Sequence, residues 1–207
     1  ALAELDARAA AHGAALATTR VDADAGPVRA ALVAAGYLEV ERSQALTLAL
    51  AELDPRRVFG RAVAVEVATA ADGPALADLA ETAFAYSRFH EDPRVHPSRA
   101  RARYRRWIVD SLGNGDEVWL HRHRGALAAV MSFRRRGDHV QLWLGGTHPE
   151  VGAVAPMFWA GVLARLRDQG VATVATRVSL ANPPALRLHA GRGGERHPGG
   201  HVGLDEA

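Results

Sequence analysis

One central β-sheet with helices on both faces, a mixed α/β fold, is predicted by three observations. From residue 61 onward, strand-like and helix-like segments follow in the order β-α-α-β-β-β-α-β-α-β, the order of a sheet layered with helices. A segment near the start returns near the end. A constant shift of 157 positions lays Thr19-Arg20-Val21 on Thr176-Arg177-Val178, Gly13 on Gly170, Pro27 on Pro184 and Gly36 on Gly193. Self-similarity at a fixed offset is the trace of a duplicated unit. Hydrophobic residues make up 48% of the 207, enough for a substantial core. No run of about 18 uninterrupted apolar residues interrupts them, so no membrane span is expected.

The elements follow from local pattern. Leu2, Leu5 and Ala9 share one helical face, ended by Gly13. Ala14 to Val21 reads as a strand, Pro27 to Ala35 as a helix closed by Gly36, and Tyr37 to Leu50 as one strand or two. Asp54-Pro55-Arg56-Arg57 breaks the pattern as a linker. A second unit opens at Arg61 with the alternating strand Val63 to Val67. Thr69 or Asp72 can cap the next helix, whose buried stripe is Leu76, Leu79, Ala80 and Ala83. Tyr86 to Pro97 is loop-like, and Ser98 to Leu112 is an amphipathic helix with Tyr104, Trp107, Ile108 and Leu112 inward. Three strands follow, Val118 to His121, Ala126 to Phe133 and Val140 to Leu144, the last two joined at Arg136-Gly137-Asp138. Pro156 to Gly170 is a helix, Val171 to Val178 a strand, Pro184 to Ala190 a helix, and His201 to Leu204 a final strand.

Composition removes several classes of function. With no cysteine, disulfides, thiolate metal sites and a cysteine nucleophile are excluded together. The chain opens in a helical pattern without the regions of a signal peptide, and a cytoplasmic location is the expectation. Every basic side chain is arginine and the net charge is only +2, so the chain is no polycation. Arg99 to Arg106 and Arg134 to Arg136 are locally basic; the first is a solvated helix face or a contact for an anion or nucleic acid. His121 and His123 alternate as metal ligands do, but no third ligand follows at metal spacing, and no metal site is expected.

Three short motifs carry a family resemblance. Thr147-His148-Pro149-Glu150 resembles the V-x-P-E that closes the central strand of the Gcn5-related N-acetyltransferases (GNAT), and Asn182 to His189 resembles their N-x-x-A-x-x-L-Y helix start. Ser87-Arg88-Phe89-His90-Glu91-Asp92-Pro93 is similar to the S-R-F-H-x-D-P stretch of the branch that acetylates nucleotide-linked amino sugars. The resemblance implies a GNAT-like acyltransferase fold, with residues 1–53 as a degenerate half-domain and 61–207 as the catalytic domain. It implies acetyl-CoA, or another acyl-CoA, as donor and a primary amine of a small polar biosynthetic intermediate as acceptor. The family's donor loop, Q/R-x-x-G-x-G/A, is much reduced: in Glu150 to Pro156 only Gly152 remains, beside Ala153. Orphan N–H groups at the first turn of the following helix still suit an anion.

The same resemblance, weighed against the residues themselves, gives the candidate site. Acyl transfer needs a polarised carbonyl, a neutral amine, an acid for the leaving group and alignment. Gly145, Gly146 and Thr147 stand where family backbone N–H groups polarise the carbonyl; paired glycines there permit close approach of a donor arm or form a simple bulge. Asn182 matches a donor-arm contact and is equally a cap for the Pro184 helix. His189 replaces the tyrosine that protonates the departing thiolate, or is structural. His148 or Glu150 would be the base, or part of a turn. Arg88, His90, Asp92 and Tyr104 would line the acceptor, the first three being alternatively a capping network. Two rivals stand beside this reading: an acyltransferase fed by an aminoacyl-tRNA or a carrier-protein thioester, its Arg99–Arg106 helix touching that donor, and a catalytically silent binding protein. A monomer or a homodimer is expected.

Overall fold

The computed structural model describes residues 2–51, 53–190 and 195–206. Helix α1 (Leu2–Ala11), strand β1 (Thr18–Asp22), α2 (Gly26–Ala34) and β2 (Tyr37–Ala49) form the first half. There follow α3 (Pro55–Phe59), β3 (Glu66–Val67), α4 (Gly73–Ala83), α5 (Arg88–Glu91) and α6 (Pro97–Ser111). Strands β4 (Glu117–His123), β5 (Ala126–Arg136) and β6 (His139–Thr147) lead through a 3-10 turn at Pro149–Val154 to α7 (Ala155–Asp168), β7 (Thr173–Ser179), α8 (Pro183–Ala190) and β8 (Glu195–Glu206). One sheet takes them all, in the order β1-β8-β2-β7-β6-β5-β4-β3. Every neighbouring pair is antiparallel except β6 with β7. This is the predicted mixed sheet with helices on both faces.

Alternation along the strands sorts the core into two layers. Trp119, Phe133, Val140 and Leu142 turn to one face, where Phe158, Trp159, Val162, Leu163 and Leu166 of α7 cover them. Val118, Val130 and Leu144 turn to the other, under Leu76, Leu79 and Ala80 of α4 and Tyr104 and Ile108 of α6. Each such buried aliphatic or aromatic side chain contributes about 1.5–3 kcal/mol. Leu142 and Leu144 lie two apart yet face opposite layers. The cause is a register shift: Leu142 pairs with Phe133 and Leu144 with Ser132, leaving Trp143 as the extra residue of a bulge. A bulge is therefore present, but at Trp143 and not at Gly145-Gly146, which pair regularly with Met131 and Val130.

The order of elements follows the offset of the repeat. At the shift of 157 positions, α1 falls on α7, β1 on β7, α2 on α8 and β2 on β8. Exchanging these partners reverses the order β1-β8-β2-β7 onto itself, a pseudo-two-fold in strand order.

Four local expectations are corrected. The linker at 54–57 is the helical turn α3, whose Phe59 packs edge-on to Trp159 at 6.4 Å between ring centroids. The strand expected at Val63–Val67 pairs only at Glu66–Val67, because Val63 N–H donates to the Met157 carbonyl and the Val65 carbonyl accepts from Arg165 of α7. The loop 86–97 contains α5, begun by His90 and Glu91 N–H groups donating to the Ser87 carbonyl. The final strand is longer than His201–Leu204, spanning Glu195–Glu206 between β1 and β2.

Candidate active site

Parallel pairing of β6 and β7 lasts for three residues, His139 to Gln141 against Thr173 to Ala175. Beyond it β6 runs on to Thr147 and β7 to Ser179 without pairing, and the strands diverge. The bulge at Trp143 sits at the start of this divergence and adds twist to β6. A cleft of about 560 Å³ fills the gap. Its walls are the segment Ala83–Arg88 with Tyr104 and Trp107, the diverging strands, and Asn182, Ala185 and His189 of the α8 region. Arg20 of β1 and Glu41 and Ser43 of β2 also line it, so the first half of the chain contributes directly.

Of the residues proposed from sequence, the cleft collects Arg88, Tyr104, Gly145, Asn182 and His189. Gly145 and Gly146 stand in tight packing. A Cβ on Gly145 would stand 2.8 Å from the Met131 methyl, and one on Gly146 3.0 Å from Ala83 and 3.1 Å from the Phe84 ring. The Asn182 Oδ1 accepts the Ala185 N–H at 3.1 Å, capping α8 while its side chain borders the cleft. His189 stands edge-on to Trp159, and burial lowers its pKa to about 4. It is therefore neutral at pH 7, and an imidazolium acid at this position is disfavoured. Tyr104 is shifted the other way: burial raises its pKa, and it stays a phenol. Around it stack Phe84, His90 and Trp107, at 5.2, 5.6 and 5.8 Å between centroids.

Others lie outside the cleft lining. His90 stands behind Tyr104, its Nδ1 within 3.0 Å of Ser87 Oγ; burial and then the charge of Arg101 lower its pKa. Asp92 is 1% exposed and belongs to the turn, where its carboxylate accepts from the Arg94 N–H, Nε and Nη2 at 2.8–2.9 Å. Those hydrogen bonds hold its pKa below the ordinary value. Thr147 ends the ladder opposite Ala129. His148 caps the 3-10 turn, its Nδ1 accepting the Glu150 N–H at 3.3 Å, and Glu150, Gly152 and Ala153 are exposed along that turn.

Three N–H groups of this turn, where the resemblance puts the pyrophosphate of coenzyme A, are engaged within it. Glu150 N–H is taken by His148 Nδ1, Val151 N–H by the His148 carbonyl and Ala155 N–H by the Gly152 carbonyl. An anion nest needs such groups turned outward. Gly152 and Ala153 are exposed on the same turn.

The arginines of α6 are largely engaged at home. Arg105 bonds Asp78 and Glu81, Arg101 and Arg106 face Glu81 and Asp110, and Arg103 lies over the Phe89 and Trp107 rings. The sequence reading missed Arg20, Glu41, Ser43, Trp143 and Arg177 as cleft residues. One signal for two of them was at hand: the repeat aligns Arg20 with Arg177.

No known family profile matches the chain, and no curated protein matches it. Solved structures do. A functionally unknown conserved protein from Staphylococcus epidermidis superposes with a TM-score of 0.70 at 9% identity, over 99% of this chain and 79% of that one. A tandem GNAT protein from the clavulanic acid biosynthesis pathway gives 0.65 at 18% identity, over 99% and 67%. A GCN5-related N-acetyltransferase from Sphaerobacter thermophilus gives 0.60 at 14% identity, over 92% of this chain but only 59% of that longer one. With the strand order, the divergence of β6 from β7 and the bulge at its start, these likenesses show that the chain has the GNAT acetyltransferase fold.

Proposed function

We propose that the protein transfers an acyl group to the primary amine of a small polar molecule. The observation that carries this is the gap where β6 leaves β7, because it opens into a cleft with polar groups on every wall. An acyl donor arm lying in the gap would meet the edge of β6 that no longer pairs with β7, where strand N–H groups face a carbonyl oxygen. Asn182 at the mouth of α8 would hold the arm. The acceptor would lie under Arg88 and Tyr104, and by resemblance would be an amine of the amino-sugar kind.

In the reaction the amine nitrogen bonds the acyl carbon, the bond to the leaving group breaks, one proton leaves nitrogen and one joins the leaving group. At pH 7 the cleft holds a phenol, Tyr104, and a neutral imidazole, His189, driven apart in acidity by burial. Neutral His189 would accept a hydrogen bond from the amine, whose proton passes to solvent, and the Tyr104 phenol would donate one to the leaving group, which takes its proton from solvent. His148 and Glu150, outside the lining, would take part only through solvent.

We further propose that residues 1–53 are a degenerate copy of the 157–207 half of the acyltransferase unit in 61–207. Matched element positions support it. The donor expected by resemblance is acetyl-CoA, but the self-bonded 149–154 turn favours one held by its arm alone, such as a carrier-protein thioester. A transfer assay decides: an amine panel is incubated with acetyl-CoA and, separately, with an acetylated carrier protein, and products are weighed by mass spectrometry. N-acetylated product with either donor supports the reading; none with both leaves a silent binding protein.

A further inference from the structure

The charge in the cleft is one-sided. Arg20, Arg88 and Arg177 line it with Glu41 as the one carboxylate among the described lining residues, 8% exposed. Strand register explains how they converge. Arg20 and Glu41 both pair with Gly203 of the intervening β8, so Arg20 reaches Glu41 across a position with no side chain, at 3.4 Å. Arg177 pairs with Ala45, which lies on the same face of β2 as Glu41 and Ser43. Arg20 and Arg177 are also the two copies of one repeat position, brought to one cleft by the strand order.

Two of the three guanidinium groups carry an unpartnered donor. Nη1 of Arg177 and Nε of Arg88 are shielded from solvent and have no hydrogen-bond partner among the described residues. A buried donor left unpaired is costly, and such groups call for a ligand or an ordered water. Burial lowers the Arg177 pKa, the like charge of Arg20 lowers it further, and Asp22 and Glu41 offset this in part. An oxyanion between the two arginines would satisfy the orphan N–H and relieve the repulsion.

We propose that the acceptor amine also carries an oxyanion, a carboxylate or a phosphate, gripped between Arg177 and Arg20 with Arg88 opposite. This rests on the acyltransferase reading for the word acceptor, but the anion subsite stands by itself. It sets the amine's reach: the anion sits over β2 and β7, and the amine must extend toward the β6–β7 gap.

Binding and transfer are measured separately. Wild type, Arg177→Gln and Arg20→Gln are titrated with inorganic phosphate, O-phosphoethanolamine, β-alanine and uncharged ethanolamine, with circular dichroism melts confirming that each variant folds. Saturable binding of phosphate or β-alanine, weakened about tenfold or more in either variant, is expected from the loss of a charge-assisted pair. The better of phosphoethanolamine and β-alanine identifies the oxyanion. Equal binding of ethanolamine and phosphoethanolamine, or anion binding unchanged in both variants, would overturn the proposal. Arginine-dependent anion binding with no amine acylated by any donor would keep the subsite and remove the acyltransferase reading. Acylation of uncharged amines with unchanged KM in both variants would do the reverse.

Discussion

The His189 imidazole meets Trp159 edge-on, with ring centroids 4.6 Å apart and planes 85° from parallel. Its burial against Trp159 at the cleft wall makes it a neutral side chain folded and a titratable one unfolded. The folded pKa is near 4 and the unfolded value 6.5, so below pH 6.5 the unfolded chain binds a proton that the folded one refuses. Stability is unaffected above pH 6.5 and falls as pH drops toward 4, by up to about 3 kcal/mol. Urea melts between pH 7 and pH 4.5 should show this slope in wild type and lose most of it in His189→Gln. An identical slope in the variant would assign the acid sensitivity elsewhere.

Helix α7 is pressed onto the segment before β3 at Gly161. A Cβ there would collide with the Val63 carbonyl oxygen and stand 2.9 Å from Val65 Cγ2. Gly161→Ala gains about 1 kcal/mol of helix propensity yet should destabilise the protein by about 1–3 kcal/mol net, since backbone has to move. Gly152→Ala meets nothing within 4 Å and should be neutral by the same denaturant titration.

Asn182 has two separable tasks. Asn182→Ala should cost about 1 kcal/mol through the lost cap to Ala185. Asn182→Asp keeps an accepting oxygen and should keep that stability while lowering turnover at least tenfold, because an added charge sits in the donor's path. Stability from melts and initial rates from the mass assay check the two halves.

Asp92 should behave as a structural residue. Asp92→Asn leaves Arg94 without its paired carboxylate and is expected to cost about 2–3 kcal/mol. Phosphate affinity at the cleft should change less than threefold, a result that a substrate-contacting Asp92 would not give.

The layers of this fold were legible because burial writes a period into the chain: the α4 and α6 stripes announced themselves. Strand ends were less legible, since the β3 segment gives its hydrogen bonds to α7, a choice no local pattern records. The proposed site divides in the same way. Arg88, Asn182 and His189 came from contiguous motifs and do line the cleft, whereas the donor-loop residues Gly152 and Ala153 and the pair His148 and Glu150 lie along an exposed turn. Arg20 and Arg177 are separated by most of the sequence, and only strand pairing through β8 and β2 unites them.

The place of β8 has a consequence during synthesis. It lies between β1 and β2, yet it leaves the ribosome after both, and β1 touches no other strand among the described residues. The nascent first half therefore waits for residue 195 before its edge is filled, on the order of ten seconds at ordinary elongation rates. Throughout that wait two strand edges stand open to pairing with other chains. Protection by a chaperone, or delayed collapse of β1, becomes a requirement of the topology itself.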